Sequence, residues 1–244
     1  MTNIYDHLWS QEWQNVQVIG PLTHSRYRLM LAECPESLPT NSRIIDVGCG
    51  NGKFLTMLGD RYPDAILQGI EYSQQAREVT PEKLRDAILV GDVVELAPEL
   101  SKDPYDLVIC SEVLEHVLNP TAAIQAIASL VKPGGVVILT VPGGMKYWSK
   151  QDEVAGHYRR FEYEEFSKLI KQTGLTITKH YGWGRVFALI YDRLVSWIGP
   201  ETVMQTKTSR LSQLTAKTLI LLFRVDDLFC SPQGFQLVTK AVKP

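Results

Sequence analysis

The segment that most constrains this chain is Ile44-Ile45-Asp46-Val47-Gly48-Cys49-Gly50-Asn51-Gly52-Lys53-Phe54-Leu55. An apolar run of strand character enters a glycine turn, and a helix-compatible stretch leaves it. Glycines belong where a backbone must turn sharply and approach a ligand closely. Dinucleotide enzymes and nucleotide-binding modules use such turns too, so the loop alone does not name a ligand. Asp46 lies two residues before the first glycine. A carboxylate there would repel a pyrophosphate and suits a ligand carrying an ammonium and a sulfonium group. The last glycine of a dinucleotide GxGxxG pattern would fall at Lys53, whereas Gly52 comes one place early. Glu71, about twenty residues on, can accept hydrogen bonds from both hydroxyls of a ribose, as NAD enzymes also do.

From Arg43 to about Val141, short apolar runs alternate with helix-like stretches. The runs are Ile44–Val47, Ala65–Ile70, Ala87–Val90, Leu107–Cys110 and Val136–Val141. Each is apolar nearly throughout, as parallel strands buried on both faces are. One crossover helix is explicit: Asn119 caps it, Pro120 suits its first turn, Thr121–Val131 forms its body, and Lys132-Pro133-Gly134-Gly135 stops it. The pattern predicts an α/β fold with a doubly wound sheet. Before this core, Leu22–Glu33 reads as a helix and Met1–Gly20 as an arm carrying Tyr5, Trp9 and Trp13, a cofactor cover or a latch on the core. After it come a helix at Glu162–Thr173 and strands at Leu175–His180 and Phe235–Val242. Residues 1–183 with 233–244 are expected to form the core, and 184–232 a helical insertion capping the acceptor pocket. A second subunit and a membrane surface are the other ways to cover the insertion's apolar residues.

Five signals occur in a fixed order: the DVGCGNG loop; Glu71; Gly91-Asp92-Val93; the stretch Tyr105–Val117; and Lys132-Pro133-Gly134-Gly135 leading into an apolar strand. In this order the chain resembles the class I S-adenosylmethionine-dependent methyltransferases from roughly Arg43 to Gly182. In pattern it is similar to the small-molecule methyltransferases of the ubiquinone-biosynthesis type. The resemblance implies a seven-stranded Rossmann-like sheet with the last strand antiparallel. It also implies S-adenosylmethionine as cofactor, with Glu71 at the ribose and Asp92 at the adenine amino group. The cofactor set it suggests is Asp46, Gly48, Cys49, Gly50, Gly52, Glu71, Tyr72, Asp92, Val93 and Cys110.

The sulfonium is already electrophilic, so the protein's task is to align an acceptor oxygen or nitrogen behind the methyl group and exclude water. Where the acceptor must lose a proton, His157 is the first choice of base and His116 the second. Glu112 and His116 are expected to begin the helix after the fourth strand, and His116 can equally serve only in packing. Tyr158, Arg159 and Arg160 are the substrate-binding choices; against them stands a loop whose arginines pair with Asp152, Glu153, Glu162 or Glu164. No metal is implied by this reading.

Overall balance narrows the partners. The 244 residues carry a formal charge of -2, without a basic half, which argues against extended nucleic-acid binding and for a small-molecule acceptor. Cys34, Cys49, Cys110 and Cys230 lack zinc-ligand spacing and read as reduced cysteines. With no signal peptide or transmembrane run visible, the expectation is a cytoplasmic enzyme, with a homodimer possible. Two rival functions stand beside it: a non-catalytic S-adenosylmethionine-binding protein and an NAD-dependent oxidoreductase. Tyr147-Trp148-Ser149-Lys150 misses the YxxxK spacing of the short-chain oxidoreductases by one residue.

Overall fold

The computed structural model describes residues 20–204 and 209–244; the arm with Tyr5, Trp9 and Trp13 lies outside them. A seven-stranded sheet forms the centre, in the order β3-β2-β1-β4-β5-β7-β6. Its strands are β1 (Arg43–Val47), β2 (Ile66–Glu71), β3 (Ile88–Val90), β4 (Tyr105–Ser111), β5 (Val131–Pro142), β6 (Thr176–Trp183) and β7 (Gln236–Val242). The first five pair in parallel, and β7 enters antiparallel between β5 and β6. The predicted doubly wound sheet with an antiparallel last strand is therefore present.

The physical reason is visible along β1 and β4, where Ile44, Ile45, Leu107, Val108 and Ile109 are fully buried. Apolar side chains on alternate faces feed two separate packing layers, as a sheet covered on both faces requires. On one face Ile45 and Val108 pack with α6 (Pro120–Leu130) and α8 (Tyr163–Lys171). On the other, Ile44 and Leu107 meet α1 (Pro21–Glu33) and α2 (Lys53–Arg61).

Local signals hold with small shifts. Asn119 accepts a hydrogen bond from the Ala122 amide and caps α6, with Pro120 in the first turn. Two expectations change. The Lys132–Gly135 stretch does not merely stop a helix, because β5 begins at Val131 and runs through it. Gly134, at φ 77°, donates to the Lys243 carbonyl, and the Lys243 amide donates back to Gly135, so the end of the chain holds this turn in the sheet. Glu112 and His116 also do not start a helix. Glu112 has a left-handed backbone at φ 55°, and Leu114–His116 is a single 3₁₀ turn before α6.

Between β6 and β7 lie α9 (Phe187–Ile198), α10 (Pro200–Met204) and α11 (Arg210–Phe223), then a 3₁₀ stretch at Arg224–Phe229. Buried Asp226 ties this segment together. Its carboxylate accepts the amides of Val186 (2.8 Å), Phe187 (3.2 Å) and Ala188 (2.8 Å), the unsatisfied donors that open α9. Both ends of the segment meet at one neck, where Gly182 and Ser231 exchange backbone hydrogen bonds. Gly234 crosses Gly182 so closely that a Cβ on either would fall within about 2.5 Å of the other strand's backbone atoms. The outward side chains Ile190, Leu194 and Trp197 remain exposed, Trp197 at 83%. No helix among the described residues is long and apolar enough to cross a membrane.

Candidate active site

The parallel strands end along one edge, where α/β sheets place their ligand crevices. One cavity of about 1650 Å³ opens there. Its floor at β1 is the glycine turn, with Gly48, Gly50 and Gly52 at φ 74°, 56° and 70°. At Gly48 the need for glycine is steric as well, since a Cβ would lie 2.2 Å from Val113 Cγ2. Glu71 fixes this turn from β2: its carboxylate accepts the Gly50 amide at 2.7 Å and the Ser73 amide at 2.9 Å.

Asp46 borders the same space and is 3% exposed. Burial, then the neighbouring Glu71 charge, pushes its carboxyl up to about 8. A carboxylate so placed is short of positive charge, and a ligand ammonium would supply it. Asp92 caps α5 (Val93–Leu100), accepting the Val94 amide at 2.7 Å through one oxygen. Asp92, Val93, Tyr72 and Cys49 all line the cavity. Gly52 and Cys110 are not among its lining residues: Gly52 precedes the first residue of α2, and Cys110 is buried in the core, paired across the sheet with Val47. Burial raises the thiols of Cys49 and Cys110, which keeps both in the protonated form.

The other end of the cavity is built by the turn after β4 and the loop after α7 (Lys150–Ala155). His116 and His157 line it, their rings 4.7 Å apart in an edge-to-face contact. Asp152 organises this end. Its Oδ1 lies 2.8 Å from His157 Nδ1 and accepts Arg160 Nε at 2.8 Å, while Oδ2 accepts the Ser149 amide at 2.8 Å. Burial alone would raise the Asp152 carboxyl, but the His157 and Arg160 bonds outweigh it and hold the group below the usual range. Burial and the adjacent His157 pull His116 down to about 3, so His116 is neutral near pH 7.

The two arginines separate. Arg160 is buried, paired with Asp152 and bonded to the Gly143 and Phe235 carbonyls, which uses most of its donors in the frame of the site. Arg159 reaches the Leu118 carbonyl at 3.4 Å and is not a lining residue. Tyr158 is half exposed at the rim. The arginine–acid pairing weighed against substrate binding is thus what Arg160 adopts, with Asp152.

Sequence reasoning gave Glu112 only a helix-starting role and assigned no site role to Glu115, Asp192 or Gln236. Glu112 accepts from Gln236 Nε2 at 2.6 Å and from Thr140 Oγ1 at 3.1 Å, and faces Arg26 at 3.4 Å. Asp192 interrupts the apolar run of α9 because it turns inward, accepting from Ser149 Oγ and Gln151 Nε2. Tyr191, Val195, Leu219 and other residues of the 184–232 segment complete the cavity wall.

A family model described as "Methyltransferase domain" matches residues 22–180. The chain belongs to the class I S-adenosylmethionine-dependent methyltransferases. Curated relatives include a ubiquinone biosynthesis O-methyltransferase of Marinobacter nauticus, 30% identical over 74% of this chain and 88% of that protein. One of the same name from Ralstonia nicotianae is 36% identical over 55% of this chain and 56% of that protein. The chain spans about half the length of other curated relatives it matches, 56% of the Ralstonia nicotianae protein and 44% of one of the same name from Paraburkholderia xenovorans. Among solved structures, the complex of the Haloferax volcanii Trm112 methyltransferase activator with a putative methyltransferase matches at TM-score 0.67. That match has 20% identity and covers 100% of this chain and 99% of that one. A possible histamine N-methyltransferase from Thermotoga maritima matches at TM-score 0.61 and 17% identity, over 99% and 98%. These structural matches speak for the fold alone.

Proposed function

We propose that this chain transfers the methyl group of S-adenosylmethionine to an oxygen or nitrogen atom of a small-molecule acceptor. The observation that carries the reading is a single cavity bordered at one end by the glycine turn, Asp46 and Glu71, and at the other by His116 and His157. Its volume of about 1650 Å³ exceeds the roughly 300–1,000 Å³ of a one-ligand pocket and accommodates a cofactor and an acceptor together.

The residues present fit the cofactor. Buried Asp46 suits its ammonium, the Glu71 carboxylate beside the glycine turn suits ribose hydroxyls, and Asp92 has one oxygen left for an exocyclic amine. When bound, S-adenosylmethionine supplies the electrophilic methyl. The chain's own work is to orient the acceptor and receive its proton. His157, fixed through Nδ1 by Asp152, keeps Nε2 available for that proton, and His116 is the neighbouring alternative. The segment 184–232 acts as the cap that selects the acceptor. Its contribution to the wall combines apolar side chains, including Tyr191, Val195 and Leu219, with the polar Asp192, Ser212 and Thr215. Together with relatives named as O-methyltransferases, this favours a hydroxyl on an aromatic or other apolar molecule.

Methyl-labelled S-adenosylmethionine incubated with panels of phenols, carboxylic acids and amines tests the reading. Label is expected in a phenol-type acceptor. Tight cofactor binding with no transfer across all three classes would favour the non-catalytic alternative.

A further inference from the structure

Helix α9 carries a carboxylate where its amphipathic pattern calls for an apolar side chain. Ala188, Asp192 and Val195 are its buried residues, at intervals of four and three, while Ile190, Leu194 and Trp197 face outward. Asp192 is fully buried, and it borders the cavity together with Tyr191 and Val195. Its Oδ1 accepts Ser149 Oγ at 3.1 Å and Gln151 Nε2 at 2.5 Å. Its Oδ2 has no hydrogen-bond partner among the described residues. Arg160 and Arg193 supply positive charge around it but bond elsewhere. Arg160 donates to Asp152 and to the Gly143 and Phe235 carbonyls, and Arg193 to the Trp148 and Lys146 carbonyls. Burial raises the Asp192 carboxyl, and the Arg160 charge and the Ser149 hydrogen bond only partly offset this. A buried carboxyl bonded through one oxygen costs stability, and such a group calls for an explanation. A helix with a packing role alone would carry an apolar residue here.

We propose that Asp192 is the residue by which the cap recognises the acceptor, and that it pairs with a protonated amine on that molecule. The inference rests on the methyl-transfer reading and names the class of its substrate: a phenol or similar hydroxyl compound bearing an aliphatic ammonium group. An ammonium supplies both things Oδ2 lacks, a donor and a positive charge. A neutral hydroxyl would satisfy the hydrogen bond and leave the charge uncompensated. A carboxylate or phosphate on the acceptor would be repelled.

The surroundings of Asp192 suit the role. Ser149 bridges two acids, its Oγ donating to Asp192 and its amide to Asp152 Oδ2. Asp152 in turn fixes His157 through Nδ1. The group that takes the acceptor's proton and the group that takes its ammonium are therefore both set against one short stretch, 149–157. Tyr191, Val195 and Leu219 in the same wall suit the hydrocarbon that joins the acceptor's two ends. Selection by the cap then has a chemical basis: its apolar side chains accept the ring, and Asp192 requires the charge.

Calorimetry on the full chain saturated with S-adenosylhomocysteine compares two matched pairs, tyramine with 4-ethylphenol and dopamine with 4-ethylcatechol. The members of each pair differ only in the amine. At neutral pH the wild type is expected to bind each amine roughly 10–100-fold more tightly than its neutral counterpart, the worth of one charge-assisted hydrogen bond. Asp192→Asn keeps an oxygen for Ser149 and Gln151 and removes the charge. It should abolish the preference and leave affinity for the two neutral compounds unchanged. Asp192→Ser removes the charge by a second route where the asparagine chain does not fold, and S-adenosylhomocysteine binding verifies the fold of either. A wild type that prefers neither amine, or a preference that survives in the folded variants, would overturn the proposal. Labelled-methyl transfer to the four compounds separates it from the reading beneath it. Transfer without amine preference removes the role of Asp192 and leaves methyl transfer standing. Amine-selective binding without transfer leaves the Asp192 site and removes hydroxyl methylation.

Discussion

Gln236 Nε2, at the start of β7, donates to Glu112 Oε1 at 2.6 Å, and the backbone of Glu112 at that point stands at φ 55°. A left-handed backbone at a residue other than glycine costs on the order of 1–3 kcal/mol and persists only where its surroundings determine it. Here the surroundings are Gln236, Thr140 and Arg26, drawn from three elements. Glu112→Ala keeps the strain and loses the bonds, and should lower stability by roughly 2–3 kcal/mol. Glu112→Gly relieves the strain and should fall short of that loss. Urea unfolding of the pair checks the order; an alanine variant more stable than the glycine variant contradicts it.

Asp46 carries a pH signature. Its carboxyl, raised from 3.8 to about 8, holds its proton more tightly in the folded chain than in the unfolded one. Between about pH 4 and 8 the folded state therefore binds more protons, and this group makes stability fall as pH rises, by up to about 1.4 kcal/mol per pH unit. Asp46→Asn should remove that slope in the unliganded protein. Binding of S-adenosylhomocysteine, whose ammonium favours the ionised acid, should release a proton below pH 8 in the wild type and not in Asp46→Asn. Calorimetry in buffers of different ionisation enthalpy measures the release.

The three amides held by Asp226 predict a local effect from a distant residue. Asp226→Ala leaves the first turn of α9 without its acceptor and should destabilise the fold by roughly 2–4 kcal/mol. Hydrogen exchange should quicken across Val186–Ile198 before it does in β1 or β4. Uniform quickening throughout the chain would show that α9 does not depend on this cap.

Gly234 makes a steric prediction. A Cβ there would stand 2.5 Å from Gly182 C and from Trp183 N, both backbone atoms that cannot rotate away. Gly234→Ala should cost about 3 kcal/mol or more by overpacking. Gly134→Ala, where no atom stands within 4 Å but φ is 77°, should cost less, about 1 kcal/mol. Melting curves of the two variants compare them directly.

The doubly wound sheet and the glycine turn were legible because their signals are local. Apolar runs mark parallel strands, glycines mark the turn, and Asp46 and Glu71 sit at strand ends that the topology places side by side. The acceptor end was legible only in outline. Arg159 and Arg160 are neighbours of one type, and only the fold decides that Arg160 turns inward to Asp152. Glu115 reads as an ordinary surface acid in a helix until Glu112 takes its left-handed backbone and turns the following residues inward. Asp226 lies 38 residues after the last amide it caps, a separation beyond any motif.

The neck at Gly182 and Ser231 has a consequence for how this protein can change. The ends of the 184–232 segment are joined where it leaves the sheet, so the strands meet a closed loop of fixed span whatever lies inside it. Closing such a loop grows more costly only slowly with its length, by about 0.6 kcal/mol for each doubling. Helices can therefore be lengthened, shortened or exchanged beyond the neck while the strands beneath keep their register. A change of length on the far side of the neck thus reaches the sheet only through the two strands that Gly182 and Ser231 already hold together.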